Sequence, residues 1–124
     1  MKYAIIVFIG GGIGAVTRYW LSGIIAHYMG TGFPYGTLTV NIIGCFLIGF
    51  LMTFFEAGFA IIPGLRMFLT VGFLGGLTTY STFSFETITL LQEGNYFYGI
   101  ANILGTTVVC LVSAWAGTAT GKFL

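Results

Sequence analysis

Long apolar runs alternate along this chain with short clusters of charged, aromatic and turn-forming residues. A membrane helix needs about 20 apolar residues, and the spacing of the clusters predicts spans at residues 3–27, 37–55, 66–92 and 96–121. The first span ends near His27, Tyr28 and Gly30. Thr31–Gly36 (TGFPYG) reads as a turn, because Pro34 lacks a backbone donor and glycines flank it. Glu56 closes the second span, and Ala57–Leu65, with Gly58, Pro63 and Gly64, reads as a loop. Arg66 opens the third span, Gln92, Glu93, Gly94 and Asn95 close it, and Lys122 follows the fourth. Tyr3, Tyr28, Tyr35, Tyr96 and Tyr98 lie near these boundaries, as an aromatic belt does. The expected fold is an all-α membrane protein, a single integral membrane domain over residues 1–124 with four transmembrane helices.

The third span departs from a plain apolar helix. Gly75-Gly76-Leu77-Thr78-Thr79-Tyr80-Ser81-Thr82-Phe83-Ser84 joins two adjacent glycines to a run of hydroxyl residues, poor material for a continuous helix. A break near residues 75–79, in the middle of that span, is therefore expected. Backbone groups freed inside a bilayer survive only where they line a cavity, an ion or other protein. Beyond the break, Thr79, Thr82, Glu86 and Thr89 recur at helical spacing as one polar stripe. Asn102, Thr106, Cys110 and Ser113 form a second on the fourth span.

Composition narrows the class further. Apolar residues make up 57% of the 124 and charged ones only 6%, whereas a soluble domain carries about 25% charged residues. A water-wetted surface is thereby excluded, as is disorder. A formal charge of +1 provides no field for nucleic acid. The first span is too long for a signal peptide core and contains Arg18, so it is expected to remain. Four spans put Lys2, Arg66 and Lys122 on one side and Arg18 toward the other, a bias weak enough for insertion in both orientations. Cys45 and Cys110 have neither CxxC spacing nor a metal-site neighbourhood and read as small packing residues. Gly10-xxx-Gly14, Gly11-xxx-Ala15, Gly72-xxx-Gly76 and Ser113-xxx-Gly117-xxx-Gly121 have the spacing that lets membrane helices approach closely, and imply a compact, dimerising bundle.

Two polar stripes beside a broken helix point to a polar pathway, rich in hydroxyl and amide groups and poor in carboxylates. Cation routes usually carry rings of Asp or Glu. Hydroxyl and amide donors suit a small anion, and so does the electropositive edge of an aromatic ring such as Phe83. Arg18, two-thirds along the first span, either snorkels to the interface or sits in a vestibule, attracting anions or tying helix ends. Asn41 is either interhelical glue or a pathway donor. Glu86 fits an anion route only at its mouth or with a shared proton. With one His, no Asp and no base near Ser81 or Ser84, no catalytic constellation exists, so an enzyme is not expected.

Gly11-Gly12-Ile13-Gly14-Ala15-Val16-Thr17-Arg18-Tyr19, Gly36-Thr37-Leu38 with Asn41 and Gly44, and Gly72 through Ser84 with Glu86 resemble the Fluc/CrcB fluoride channels of bacteria, over essentially the whole chain. The resemblance implies a dual-topology antiparallel homodimer in the bacterial inner membrane. It further implies two pores per dimer that passively and selectively export fluoride and so relieve its toxicity. By position, Asn41 matches the family's pore asparagine and Phe83 the second of its pore phenylalanines. Tyr80 stands where the first is usual, a departure that adds a phenolic hydroxyl. Ser81 and Thr82 fall in the hydroxyl-bearing pore segment. Cys110 replaces a frequent serine, and Ser113 keeps a hydroxyl one turn on. Arg18 matches the vestibule arginine, and Glu86 is assigned to the vestibule or pore mouth. The carbonyls of Gly75 and Thr78 resemble those that hold a structural Na+ on the dimer axis. Two rival functions compete: a proton-coupled small multidrug-type transporter, which needs an acidic residue in the first span, and a non-transporting membrane scaffold protein, which leaves the polar stripes unexplained.

Overall fold

A computed structural model of the chain describes residues 2–58 and 61–123, and among these all regular structure is helical. Helix α1 (Ala4–Met29), α2 (Tyr35–Glu56) and α6 (Tyr96–Phe123) are each long and apolar enough to cross a membrane, so the chain is a multi-pass membrane protein. Between α2 and α6 the helical run comes in pieces: α3 (Pro63–Met67), a π-helical stretch (Phe68–Leu74), α4 (Gly75–Leu77) and, after Thr78 and Thr79, α5 (Tyr80–Gln92). Glycines at positive φ turn the chain after α1, at Gly30, and after α5, at Gly94.

Helix limits differ from the sequence reading where caps decide them. Helix α3 starts at Pro63 rather than Arg66, because proline is pre-set for the first helical turn and gives up a donor unpaired there anyway. The expected loop Ala57–Leu65 therefore ends at Ile62, and its residues 59 and 60 lie outside the described ones. Gly75 and Gly76 are helical, whereas Thr78 (φ −90°, ψ 155°) and Thr79 (φ −152°, ψ 121°) are extended.

The glycines have another use. Helix α1 packs mainly on the π-helical stretch and α4, and α2 packs mainly on α6. A Cβ on Gly10 would come within 2.7 Å of the Phe68 carbonyl oxygen, and one on Gly72 within 3.1 Å of the Gly10 Cα. Gly14 lies against the Phe73 carbonyl and Gly76 against that of Gly11 in the same way. The small-residue rows of α1 and of the third span thus interlock backbone to backbone, and the two segments run in the same direction. On the other side, Gly117 meets the Phe46 carbonyl and Gly49 that of Ala114. In hydrocarbon such close approach matters, because lipid supplies no hydrophobic drive for helices to associate.

Burial is inverted relative to a soluble protein. The apolar core is small, built on Val40, Leu74 and Leu77. Ile5, Phe8, Tyr19, Trp20, Leu111 and Trp115 face outward, while Thr37, Asn41, Thr87, Asn102 and Thr106 are buried. Asn102, only 2% exposed, donates from Nδ2 to Thr87 Oγ1 at 2.8 Å and accepts from Thr106 Oγ1 at 3.0 Å. This buried network ties α5 to α6.

Gly117→Val is expected to destabilise the fold by about 1–3 kcal/mol, because its side chain meets backbone that cannot retreat. Gly12→Ala, where an added Cβ finds nothing within 4 Å, is expected to be neutral or to stabilise by up to about 1 kcal/mol. Thermal unfolding in detergent separates the two; equal melting shifts would contradict the close-approach account.

Candidate functional site

Two extended residues between α4 and α5 leave backbone groups without their i→i−4 partners, and each such group must be paired in a bilayer. Asn41 on α2 answers for Thr79: its Oδ1 accepts the Thr79 N–H at 2.9 Å and its Nδ2 donates to the Thr79 carbonyl at 3.1 Å. Thr79 also caps α5, its hydroxyl oxygen accepting the Thr82 N–H at 3.2 Å and donating to Thr82 Oγ1 at 3.0 Å. Ser81 Oγ lies 3.3 Å from the same hydroxyl. At the end of α4, Arg18 Nε donates to the Gly76 carbonyl at 3.0 Å, so the guanidinium of α1 caps that helix end. Thr78 satisfies its own N–H on the Leu74 carbonyl at 3.1 Å.

These substitutions release particular carbonyls. The helical donor to Gly75 O would be the Thr79 N–H, which Asn41 takes instead. The helical donor to Thr78 O would be the Thr82 N–H, which the Thr79 hydroxyl takes. Gly75 is exposed and has open space beside its Cα.

Beside the interruption lies a groove of about 330 Å³ whose wall comes from α2, the Thr78–Thr79 segment, α5 and α6. It brings together Asn41, Thr78, Tyr80 and Phe83 with Cys45, Thr79, Thr106, Thr107, Cys110 and Leu111. Phe83 is buried, Tyr80 is 80% exposed at the rim, and their ring centroids are 5.5 Å apart at 52°. The backbone of Phe83 is held from α6: Asn102 bonds Thr87, whose hydroxyl donates to the Phe83 carbonyl at 2.7 Å. The groove wall contains no carboxylate, and its polar groups are amide, hydroxyl and thiol.

A wider concavity of about 600 Å³ opens at one end of the bundle, lined by the end of α1, the loop before α2 and one face of α5. Thr37, Thr82, Glu86 and Glu93 belong to it. Glu86 Oε1 is buried there without a hydrogen bond from the described residues. The concavity and the groove take their walls from neighbouring positions on two elements. Thr37 and Asn41 are one turn apart on α2, and Thr82 and Phe83 are adjacent on α5.

Of the residues marked out by sequence, Asn41, Thr78, Tyr80 and Phe83 share the groove, and Thr82 and Glu86 share the concavity. Arg18, Gly75, Ser81 and Ser113 line neither. Ser113 donates to the Val109 carbonyl of its own helix at 2.7 Å. Thr106, Thr107 and Cys45 belong to the groove but were not marked as site residues. A signal existed for two of them, since Thr106 is one turn from Asn102 and Cys45 one turn from Asn41; Thr107 had none. Among the described residues no group of three or more His, Cys, Asp or Glu side chains converges.

The chain matches the family described as CrcB-like protein, Camphor Resistance (CrcB), over residues 5–118. A curated relative from Citrifermentans bemidjiense, named fluoride-specific ion channel FluC, is 48% identical over 124 residues, covering 100% of both chains. Relatives of the same name from Geobacter sp. strain M21 and Geotalea daltonii are 47% identical over 100% of both chains and 48% identical over 96% of this chain and 98% of that one. Similar to these relatives along its whole length, this chain belongs to the CrcB family.

Proposed function

We propose that this chain is the subunit of a passive, fluoride-specific ion channel of the bacterial inner membrane, working as a dual-topology antiparallel homodimer with two pores. In this reading α3, the π-helical stretch, α4 and α5 form one transmembrane span interrupted at mid-depth. The pieces on either side of Thr78–Thr79 are each roughly 20 Å long at 1.5 Å per residue, too short alone for a core of about 30 Å.

The observation that carries the proposal is the carboxylate-free groove at the start of α5, next to Asn41 and the Phe83 ring. A helix N-terminus presents its first N–H groups and the positive end of its dipole, which favour an anion. Asn41 keeps one amide hydrogen beyond the one it gives to Thr79. The electropositive edges of Phe83 and Tyr80 and the hydroxyl of Thr82 continue the proposed line of contacts, whereas Ser81 and Ser113 line neither cavity of the subunit. Such a narrow route replaces the hydration shell of a small anion and compensates a larger halide poorly. Glu86 belongs to the mouth, with one carboxylate oxygen buried and without a hydrogen bond from the described residues, and Arg18 acts on the route by fixing the end of α4.

Fluoride enters cells as neutral HF and ionises inside. An inside-negative potential then drives the anion out through a passive pore, with about 2.3 kcal/mol per charge per 100 mV. The weak asymmetry of Lys2, Arg18, Arg66 and Lys122 supports insertion in either orientation.

A structural Na+ fits the same interruption. Gly75 O and Thr78 O are relieved of helical donors by Asn41 and by the Thr79 hydroxyl, and hard cations take oxygen ligands. When bound between two subunits, the ion would supply fixed positive charge and tie the interruptions together.

Four outcomes test the proposal. Liposomes containing the purified protein are expected to release fluoride but not chloride under a membrane potential, without any imposed proton gradient. In the same assay Phe83→Ile, which keeps apolar volume and deletes the ring edge, should slow release at least tenfold; full flux in that variant removes the edge-on role. Asn41→Asp retains an acceptor for the Thr79 N–H but loses the donor to Thr79 O and brings a charge to the groove. It should lower stability by about 1–3 kcal/mol and fluoride flux at least tenfold. Finally, replacing sodium by N-methylglucamine should lower the melting temperature reversibly, since sodium at 100 times its Kd stabilises by about 2.7 kcal/mol. Melting that ignores the cation would count against the site.

A further inference from the structure

Cys45 and Cys110 play no part in the fold or route described above, yet both are free, both are half-buried and both line the groove. They come from different helices: Cys45 follows Asn41 by one turn of α2, and Cys110 follows Thr106 by one turn of α6. Both side chains face that groove, and the two thiols are neighbours there. Just beyond them the helices touch backbone to backbone at Gly49 and Ala114 and at Gly117 and Phe46, so the wall carrying the two sulfurs is rigid.

We infer that Cys45 and Cys110 form a two-coordinate binding site for a soft, thiophilic d10 cation, Hg2+ above all, in the wall of the groove. Thiolate sulfur selects soft metals. A zinc site would need further ligands, and among the described residues no third His, Cys, Asp or Glu joins the pair. Linear coordination by two sulfurs is what remains. On binding, each thiol releases its proton to water and two metal–sulfur bonds form, Hg2+ + 2 RSH → Hg(SR)2 + 2 H+, with no change of oxidation state. The product is neutral, so no net charge is buried beside Phe83 and Leu111. Ag+ or Cu+ in the same place would leave a net negative charge, which orders Hg2+ ahead of them. A bridging ion would cross-link α2 to α6 and occupy space next to Asn41, so its effect on transport rests on the channel reading, while its binding does not.

The test has two separate arms. Purified protein is titrated with HgCl2, washed with excess glutathione and measured by native mass spectrometry and free-thiol count. One Hg2+ per chain, retained against glutathione with loss of both free thiols, is expected. Cys45→Ser and Cys110→Ser, each keeping a single sulfur, should release the metal to glutathione at least 100-fold more readily. Two metal ions per chain, or single-cysteine variants that hold mercury as tightly as the parent, overturn the bridged site without reference to flux. In the second arm, mercury should cut fluoride release from liposomes at least tenfold, reversibly by a dithiol chelator. The double Cys→Ser variant should retain its own mercury-free rate after the same treatment. A bridged metal with unaltered flux overturns the position of the pair in the ion route. Absence of fluoride release before any mercury is added overturns the channel reading and leaves the binding arm to decide the site.

Discussion

The structure depends on one constraint: a backbone group that leaves its helix inside hydrocarbon must find another partner. Thr78 and Thr79 leave theirs, and the partners come from three separate elements. Asn41 of α2 takes both polar groups of Thr79, Arg18 of α1 takes the Gly76 carbonyl, and the Thr79 hydroxyl takes the Thr82 N–H. Each of these bonds fixes the position of one helix against the interruption, so the same interactions that make the extended segment tolerable also assemble the bundle around it. The rows of glycine follow from this arrangement. Arg18 reaches the interruption because α1 and the third segment approach at backbone distance, which Gly14 and Gly76 permit, and on α2 Gly44, three residues after Asn41, leaves room for the Thr78 side chain.

The apolar runs carried the long helices plainly, since hydrocarbon imposes a length that turns and charges must respect. Legibility fell where one residue type serves two purposes. The adjacent glycines Gly75 and Gly76 signalled a weak helix, but in the folded chain they stay helical and provide contact surface, while the extended residues are the two threonines. Nothing local distinguishes these uses, because the choice is made by Asn41, 38 positions earlier. The hydroxyl residues posed a similar problem. Ser113 belongs by spacing to the stripe of Asn102 and Thr106, yet its proton goes to the Val109 carbonyl and it lies outside the groove. Thr106, on the same stripe, is buried and joins both the network to α5 and the groove wall. A hydroxyl in a helix can always bond back to its own turn, so spacing identifies the face but not the residues that act across it.

Polar contacts also divide cleanly between holding and leaving free. Asn102, Thr87 and Thr106 bond one another and the Phe83 carbonyl, and Asn102, which keeps one amide hydrogen, is buried and lines neither cavity, so the network fixes a ring without presenting that donor to the groove. Asn41 is different, since the hydrogen it keeps after serving Thr79 belongs to a side chain that lines the groove. An anion held by a network with surplus donors can be released to the next such group. A network that lies away from the groove cannot exchange partners with an ion in that way.

That distinction also explains why so few charges suffice. A full charge at mid-bilayer costs at least roughly 2.5–3.5 kcal/mol, and once paired it would hold an anion too firmly to pass it on. Arg18, the charged side chain nearest the interruption, is spent on a carbonyl and lines neither concavity. The proposed route is thus left to partial charges: amide hydrogens, hydroxyls, ring edges and the first turn of α5. Each attracts an anion weakly, and together they replace water without creating a trap. The same scarcity of charge leaves Lys2, Arg66 and Lys122 as a faint topological signal opposed by Arg18. In the proposed channel, a route built from partial charges would leave little in the sequence to dictate which way it inserts.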